Sequence, residues 1–163
     1  MTFETNARIK ARFAARATGL PALADDSGIE VEALGGGPGV RTRRYAGPSA
    51  TDEDNNAKLL DELAAVPAGG RSARYVCVLA LALPDPAAPG GLQLQTRRGT
   101  TRGRIALEPR GTGGFGYDPL FEPARERPGG RTFGQYSPSE KDAISHRGRA
   151  ARRMSRLLRG MGF

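Results

Sequence analysis

The chain has 163 residues, with 25 Lys and Arg against 17 Asp and Glu and a net charge of +8. This length fits one domain, or one domain with a small second lobe, and we take residues 1–163 as a single domain. No apolar run approaches the ~20 residues that span a bilayer, and the first residues lack the basic and apolar regions of a signal peptide, which excludes a membrane protein. The one cysteine, Cys77, excludes an internal disulfide and a cysteine-based zinc site. Its apolar surroundings predict core packing, and a reducing, cytoplasmic compartment is the default expectation.

The basic charge does not by itself indicate a nucleic-acid-binding protein. Only 3 of the 25 basic residues are lysines, and so strong an arginine bias is also typical of GC-rich coding DNA. No basic strand has the interleaved aromatic residues that stack single-stranded bases. We therefore do not expect nucleic acid as the main partner, since a basic surface serves solubility and anionic ligands equally well.

The first third of the chain predicts a helix, two strands and a loop. Residues 5–18 have apolar positions at the spacing of an amphipathic helix, namely Ile9, Phe13, Ala14 and Ala17. Gly19 and Pro21 end it. A short strand then leads into the acidic pair at 25–26, and the alternating residues 29–34 predict a second strand before the glycine-rich loop 35–39.

The rest of the chain continues the mixture of helices and strands. Thr51 is the predicted N-cap of a second helix, with acidic residues in its first turn. Later predicted elements are strands at 74–83, 92–98 and 100–107, a glycine loop at 111–116, and a final helix at 143–158. Between that loop and residue 139 the sequence predicts no regular element. The predicted class is α/β (mixed α+β), with the chemistry on loops.

The segment Asp25-Asp26-Ser27-Gly28 suits a hard cation, because carboxylate oxygens are the ligands that magnesium prefers. Magnesium also shares its shell with phosphates and water, so one or two protein carboxylates suffice. In a strand the two carboxylates point to opposite faces, so only one can meet a given ligand. The alternative interpretation is a turn, which these four residues favour as strongly.

The glycine-rich loop 111–119 contains two aromatic residues, Phe115 and Tyr117. Glycines allow the backbone to approach a ligand and to present N–H groups to an anion. Phe115 lies between glycines, so a flat ligand such as a nucleobase is a suitable partner for its ring. The alternative is a flexible loop whose two aromatic rings enter the core.

The segment 140–148 holds the only histidine, His146, next to Arg147 and near Lys141. Together these side chains offer hydrogen-bond donors to carbonyl or phosphate oxygens. A lone histidine is more often a surface or helix-capping residue, and Ser145 would make an ordinary N-cap. No serine or cysteine nucleophile stands in a recognisable setting, so a hydrolytic triad is not supported.

Taken in order, these segments resemble the inosine/xanthosine triphosphate (dITP/XTP) pyrophosphatase family. The matching stretches are 2–11, 24–34, 35–40, 44–47, 74–79, 111–121 and 141–148. The resemblance implies an elongated, twisted mixed sheet flanked by helices, in two lobes around a central nucleotide cleft. It also implies a homodimer, and hydrolysis of ITP, dITP and XTP to the monophosphate and pyrophosphate.

The resemblance assigns roles at both ends of the substrate. Asp26 matches the general base and Mg²⁺ ligand, Asp25 its support, Ser27 a substrate contact and Lys10 a lysine facing the phosphates. The residues that match the purine site are Phe115 as the stacking ring, Gly116, Tyr117 and Asp118 as its wall, and Lys141, His146 and Arg147 as readers of the base edge. Donors at that edge favour a 6-oxo purine over adenine.

The sequence also departs from the family pattern. The family opens with a strand, a Thr/Ser-x-x-Asn-x-x-Lys phosphate loop and a magnesium-binding glutamate, and none has a counterpart before Phe3. Smaller departures are Thr5, where a glutamate is common, and the arginine-rich segment 41–44. We expect a misplaced start or a shortened chain, with far lower activity than a form carrying the upstream segment. The alternatives are a nucleotide- or RNA-binding remnant without catalysis, and a related pyrophosphatase for modified pyrimidine nucleotides.

Overall fold

The computed structural model describes all 163 residues, Met1–Phe163. Its helices are α1 (Phe3–Thr18), α2 (Asp52–Glu62), α3 (Pro138–Ile144) and α4 (His146–Gly160). One sheet contains β1 (Ala22–Val31), β2 (Ser72–Pro84), β3 (Leu92–Ile105) and β4 (Phe121–Pro123), in the order β1-β2-β3-β4. Strands β3 and β4 pair antiparallel, with Ile105 opposite Phe121. The predicted α/β class is confirmed, and none of the helices has the length and apolar character needed to cross a bilayer.

Helix α1 buries a different face from the one that its large apolar residues indicated. Thr2 caps its N-terminus by accepting from the Thr5 N–H, and Gly19 ends it in the left-handed region. The buried residues are Phe3, Ala7, Ala11 and Ala15. Ile9 and Phe13 are 54% and 76% exposed. The alanines recur every four residues, so they form one stripe along which the helix backbone can approach its neighbours closely.

At two places where the sequence predicted two successive strands, the structure has one continuous strand. Strand β1 runs without interruption through Asp25, Asp26 and Ser27, so the turn interpretation of this segment was wrong. Strand β3 continues through Gly99, where the sequence predicted a break. A Cβ on Gly99 would lie 2.1 Å from the His146 carbonyl oxygen, so this glycine allows close packing against α4 rather than a turn.

The remaining differences concern short elements. Strand β4 has three residues, too few to leave a periodic pattern in the sequence. The predicted final helix is two helices, because Ser145 has an extended backbone (ψ 155°) between α3 and α4. The start of α2 is as predicted, since the Thr51 hydroxyl accepts from the Asp54 N–H and the Asp54 carboxylate accepts from the Thr51 N–H.

The chain forms two compact units. The first comprises Met1–Ser27, Val76–Thr100 and His146–Phe163, and its core includes the buried face of α1 and the fully buried Val76 and Cys77. The burial of Cys77 agrees with its predicted place in the core. The second unit comprises Gly28–Tyr75 and Thr101–Ser145. Its core is aromatic, with rings from Tyr75, Phe121, Phe133 and Tyr136 in mutual contact.

Candidate active site

Helix α1 fixes the carboxylate of Asp26 in the first unit. Lys10 Nζ donates to Asp26 Oδ1 at 2.8 Å, and Asn6 Nδ2 donates to Oδ2 at 3.0 Å. Asn6 and Lys10 are four residues apart, so both lie on the side of α1 that meets β1. The Asp26 side chain is only 16% exposed, whereas that of Lys10 is 54% exposed. Lys10 is therefore oriented by Asp26 and still accessible to an anion in solvent.

The Asp25 carboxylate has different hydrogen-bond partners from the Asp26 carboxylate, while Lys10 Nζ also donates to the backbone carbonyl of Asp25 at 3.0 Å. Ser27 Oγ donates to Asp25 Oδ2 at 2.8 Å, and Arg147 of α4 donates to the same oxygen at 3.0 Å. The buried Cys77 thiol lies 4.0 Å from that oxygen. Consecutive strand residues point to opposite faces, which explains why the two carboxylates share no side-chain partner.

Electrostatics around Asp25 favour its charged form. Burial raises the pKa of its carboxyl group, but the hydrogen bonds from Ser27 and Arg147 and the positive charges of Arg147 and Lys10 outweigh burial, so its pKa lies below the usual value. Burial, together with the negative charge of Asp25, raises the pKa of the Cys77 thiol. The thiol stays protonated at neutral pH and is not a nucleophile.

In the glycine loop of the second unit, the Phe115 ring is exposed to solvent and the Tyr117 ring is buried in the core. Phe115 is 58% exposed, as a ring that receives a flat ligand must be. Tyr117 is buried, and its hydroxyl donates to the Thr42 carbonyl at 2.8 Å. Tyr117 therefore supports the loop from within the core. Gly116 donates its N–H to Asp52 of α2 and accepts from Asn56, which anchors the loop to that helix.

Asp118 is the buried centre of this loop. Its carboxylate forms an ion pair with Lys141 and accepts from the Phe115 N–H at 2.8 Å. Lys141 Nζ also lies 4.3 Å from the centroid of the Phe115 ring, a cation–π contact. A Cβ on Gly114 would fall 2.0 Å from Asp118 Oδ2, so only glycine fits there. Asp118 thus fixes the backbone of Phe115, and Lys141 contacts the face of its ring.

The predicted site residues therefore fall into two groups. Lys10, Asp25, Asp26, Ser27 and Arg147 are linked by contacts within the first unit. The group in the second unit is Phe115, Gly116, Tyr117, Asp118 and Lys141. His146 belongs to the first unit, where it is buried as the first residue of α4.

Sequence reasoning did not select three residues that support these groups, Asn6, Asp52 and Asn56. Asn6 had a detectable signal, because it lies one helical turn before Lys10 in the predicted helix. Asp52 looked like an ordinary first-turn acid, and only the fold brings it to the Gly116 N–H. A cavity of about 630 Å³ in the second unit, bordered by Glu30, Arg74 and Arg102, contains none of the predicted site residues.

The groups of the first unit that are suited to bind a magnesium ion are the carboxylates of β1, Asp25 and Asp26. No group of three or more His, Cys, Asp or Glu side chains is arranged to hold a metal ion. A fully preformed metal cage is therefore not present, but Mg²⁺ does not need one when substrate phosphates and water supply most of its ligands. The Asp26 oxygens, already oriented by Asn6 and Lys10, suit the one or two carboxylates that such a shared site requires.

Comparison with known proteins identifies the family. The profile of the Ham1 family matches residues 1–157, and the chain belongs to this family. It is 52% identical over 155 residues to a dITP/XTP pyrophosphatase of Syntrophobacter fumaroxidans, covering 95% of this chain and 62% of the relative. A protein of the same name from Escherichia coli O157:H7 is 48% identical over 159 residues, which is 98% of this chain and 77% of the relative.

Solved structures agree with this assignment. A HAM1 protein from Coxiella burnetii superposes with a TM-score of 0.87 at 46% identity, covering 98% of this chain and 77% of that protein. A Ham1 protein from Staphylococcus aureus superposes with a TM-score of 0.86 at 38% identity. The family predicted from the sequence motifs is confirmed.

Proposed function

We propose that this chain hydrolyses nonstandard purine nucleoside triphosphates, namely ITP, dITP and XTP, to the monophosphate and pyrophosphate. The observation that carries the proposal is the Asp26 carboxylate, oriented by Asn6 and by an accessible Lys10. About half of the residues are identical in relatives named dITP/XTP pyrophosphatase, which supports this substrate class.

The phosphate end of the reaction needs a base and positive charge. Water attacks the α-phosphorus, the new P–O bond forms as the bond to the bridging oxygen breaks, and pyrophosphate leaves. Asp26 accepts the proton of the attacking water. The Lys10 ammonium offsets phosphate charge, which lowers the cost of bringing an anion to the carboxylate. Mg²⁺, when bound through Asp26 and the substrate, would supply further neutralisation of the developing charge.

The base end of the substrate needs a stacking surface and donors. Phe115 offers an exposed ring whose orientation is fixed by Asp118 and Lys141. Lys141, His146 and Arg147 are the proposed donors to the 6-oxo group and its neighbours. An amino purine would leave such donors unpaired, and this cost discriminates against adenine.

The proposal includes the setting of the enzyme. We propose Mg²⁺ as the cofactor, a homodimer as the assembly and the cytoplasm as the compartment, each on the basis of the family resemblance. Light scattering of the purified chain measures the assembly directly. A monomer at micromolar concentration would contradict the homodimer without affecting the proposed reaction.

Pyrophosphate release tests the function. ITP, dITP, XTP, ATP and a modified pyrimidine triphosphate are compared with MgCl₂ and with EDTA, and Asp26→Asn serves as the inactive control. We expect release from the three 6-oxo purines with Mg²⁺ only. Preference for the modified pyrimidine would indicate the related pyrophosphatase class. No release from any substrate with any divalent metal would indicate a nucleotide-binding remnant.

A further inference from the structure

The net positive charge of the chain lies entirely in one of its two units. The first unit contains 12 Lys and Arg against 4 Asp and Glu, and the second contains 13 against 13. Arginine far outnumbers lysine in both units, so a general preference for arginine does not explain this difference. In the second unit acidic partners neutralise the arginines, as where Arg104 and Arg110 both pair with Glu122.

Helix α4 carries the largest share of this charge. It contains six arginines and no acidic residue. All six are exposed, and five of them lie on one side of the helix: Arg149, Arg152, Arg153, Arg156 and Arg159. At about 100° per residue these five fall within an arc of about 120°, which we call the arginine face. The sixth, Arg147, lies about 160° from Arg149 and pairs with Asp25, so the arginine face is separate from the candidate active site.

Strand β3 packs directly beside α4 and the arginine face. Arg153 donates to the carbonyl oxygen of Arg98 on β3, and the Arg98 side chain is exposed. Gly99 makes this proximity possible, because any Cβ there would meet the His146 carbonyl and the Ala150 N–H of α4. Strand β3 therefore fixes the position of α4, and with it the position of the arginine face.

We infer that the arginine face of α4 binds the phosphate backbone of a nucleic acid, as a partner besides the nucleotide substrate. Guanidinium groups bind phosphates through paired N–H donors, and here they recur at every helical turn over about 15 Å. Phosphates recur regularly along a nucleic acid strand, so several can be contacted together. No aromatic residue lies on this face, so binding is to the backbone and without sequence preference.

An anionic membrane fits this face less well. A helix that binds at a membrane surface inserts an apolar face into the lipid, whereas the apolar Ala150 and Met154 of α4 are buried in the protein. The arc of the arginine face contains no apolar side chain. Electrostatic contact with phosphates is the chemistry that this surface offers.

Salt-dependent binding tests the inference. Fluorescence anisotropy with a 20-bp DNA duplex and the matching RNA duplex is measured from 50 to 300 mM KCl. The test variant is the pair Arg156→Glu and Arg159→Glu. The control pair, Arg125→Glu and Arg127→Glu, lies on the exposed surface of the second unit and changes the net charge equally. Pyrophosphate release from ITP serves as a separate readout.

We expect the α4 pair to weaken binding on the order of 10-fold and to reduce the salt slope by about 2, while the control pair changes neither. The milder pair Arg156→Gln and Arg159→Gln gives a smaller change in the same direction if the glutamates disturb folding. ITP hydrolysis is unchanged in all variants. Wild-type-like binding by the α4 pairs, an equal loss in the control pair, or binding to phosphatidylserine vesicles but not to either duplex would overturn the inference.

Discussion

Arg147 Nη2 and Asp25 Oδ2 form an ion pair of 3.0 Å that joins α4 to β1 within the first unit. The family resemblance assigned Arg147 to the purine edge and Asp25 to the support of Asp26. In the structure Asp25 Oδ2 accepts hydrogen bonds from both the Arg147 guanidinium and the Ser27 hydroxyl. Asp25 thus sets the position of Arg147, and any contact of Arg147 with the base must start from this pair.

The pair predicts a pH-dependent contribution to stability. The pKa of Asp25 is lower in the folded chain than its ordinary value of 3.8, so its stabilising effect is complete above that value and is lost as pH falls through the folded pKa. Asp25→Asn is expected to lower Tm at pH 7, and the difference from wild type should shrink and then disappear as the pH falls through the folded pKa of Asp25, which lies below 3.8. Asp61→Asn, on the exposed surface of α2, is the control and should show no such difference. A Tm difference that is constant with pH would contradict this prediction.

Asp26→Asn should remove most of the catalytic rate while the fold persists. An amide can still accept from Asn6 or Lys10 but cannot take the proton of water. We expect kcat for ITP to fall by about 10²- to 10⁴-fold. Asp61→Asn should retain wild-type kcat, and circular dichroism checks the fold of both. Substantial activity of the Asp26 variant would assign the base to another group.

Phe115→Ala should weaken substrate binding without destabilising the chain. The ring is mostly exposed, so its removal leaves no cavity in the core. Stacking of a base on an aromatic ring contributes roughly 1–3 kcal/mol, so we expect KM for ITP to rise about 5- to 150-fold. Phe13→Ala removes another exposed phenylalanine, on α1, and should leave KM unchanged. Equal effects of the two substitutions would exclude a stacking role.

Lys141→Met should destabilise the chain because it leaves a buried charge. The side chain of Asp118 is 2% exposed and that of Lys141 is 14% exposed. Breaking such a pair costs about 3–5 kcal/mol of unfolding free energy. In urea unfolding, adding Asp118→Asn to the same chain should recover much of the loss. Arg8→Met breaks an exposed pair with Glu4 on α1 and should cost less than about 1 kcal/mol.

Gly99→Ala should disturb the start of α4. The added Cβ would lie 2.1 Å from the His146 carbonyl oxygen and 2.5 Å from the Ala150 nitrogen, so the helix must move. Such overpacking costs about 1–3 kcal/mol, and Tm should fall accordingly. Gly69→Ala is the control, because its Cβ meets nothing within 4 Å. An unchanged Tm of the Gly99 variant would contradict this prediction, because it would mean that α4 can move away from β3 without loss of stability.

Local signals in the sequence were sufficient for several parts of the molecule. Thr51 and the acids after it define the start of α2, because capping depends on neighbours within one turn. The acidic pair and the glycine loop identified the two candidate groups of site residues. Carboxylates suit a cation, and glycine backbones allow close approach of a ligand, whatever the fold around them. The order of these motifs along the chain identified the family.

The tertiary structure decided the matters that depend on distant residues. Sequence periodicity favoured Ile9 and Phe13 as the apolar side of α1, but the stripe of alanines is the face that the fold buries. Gly99 looked like a break, and its role in packing against α4 involves a residue 47 positions away. The partner of Asp25 on α4 could not be read from spacing, since 122 residues separate the two.

The charge distribution shows the same limit. The sequence by itself determined a net charge of +8 and membership of the Ham1 family. Only the tertiary structure showed that the positive charge collects in one unit, because that unit is assembled from three separate stretches of the chain. Charge adds up along a sequence, but a surface potential depends on which side chains lie together in space.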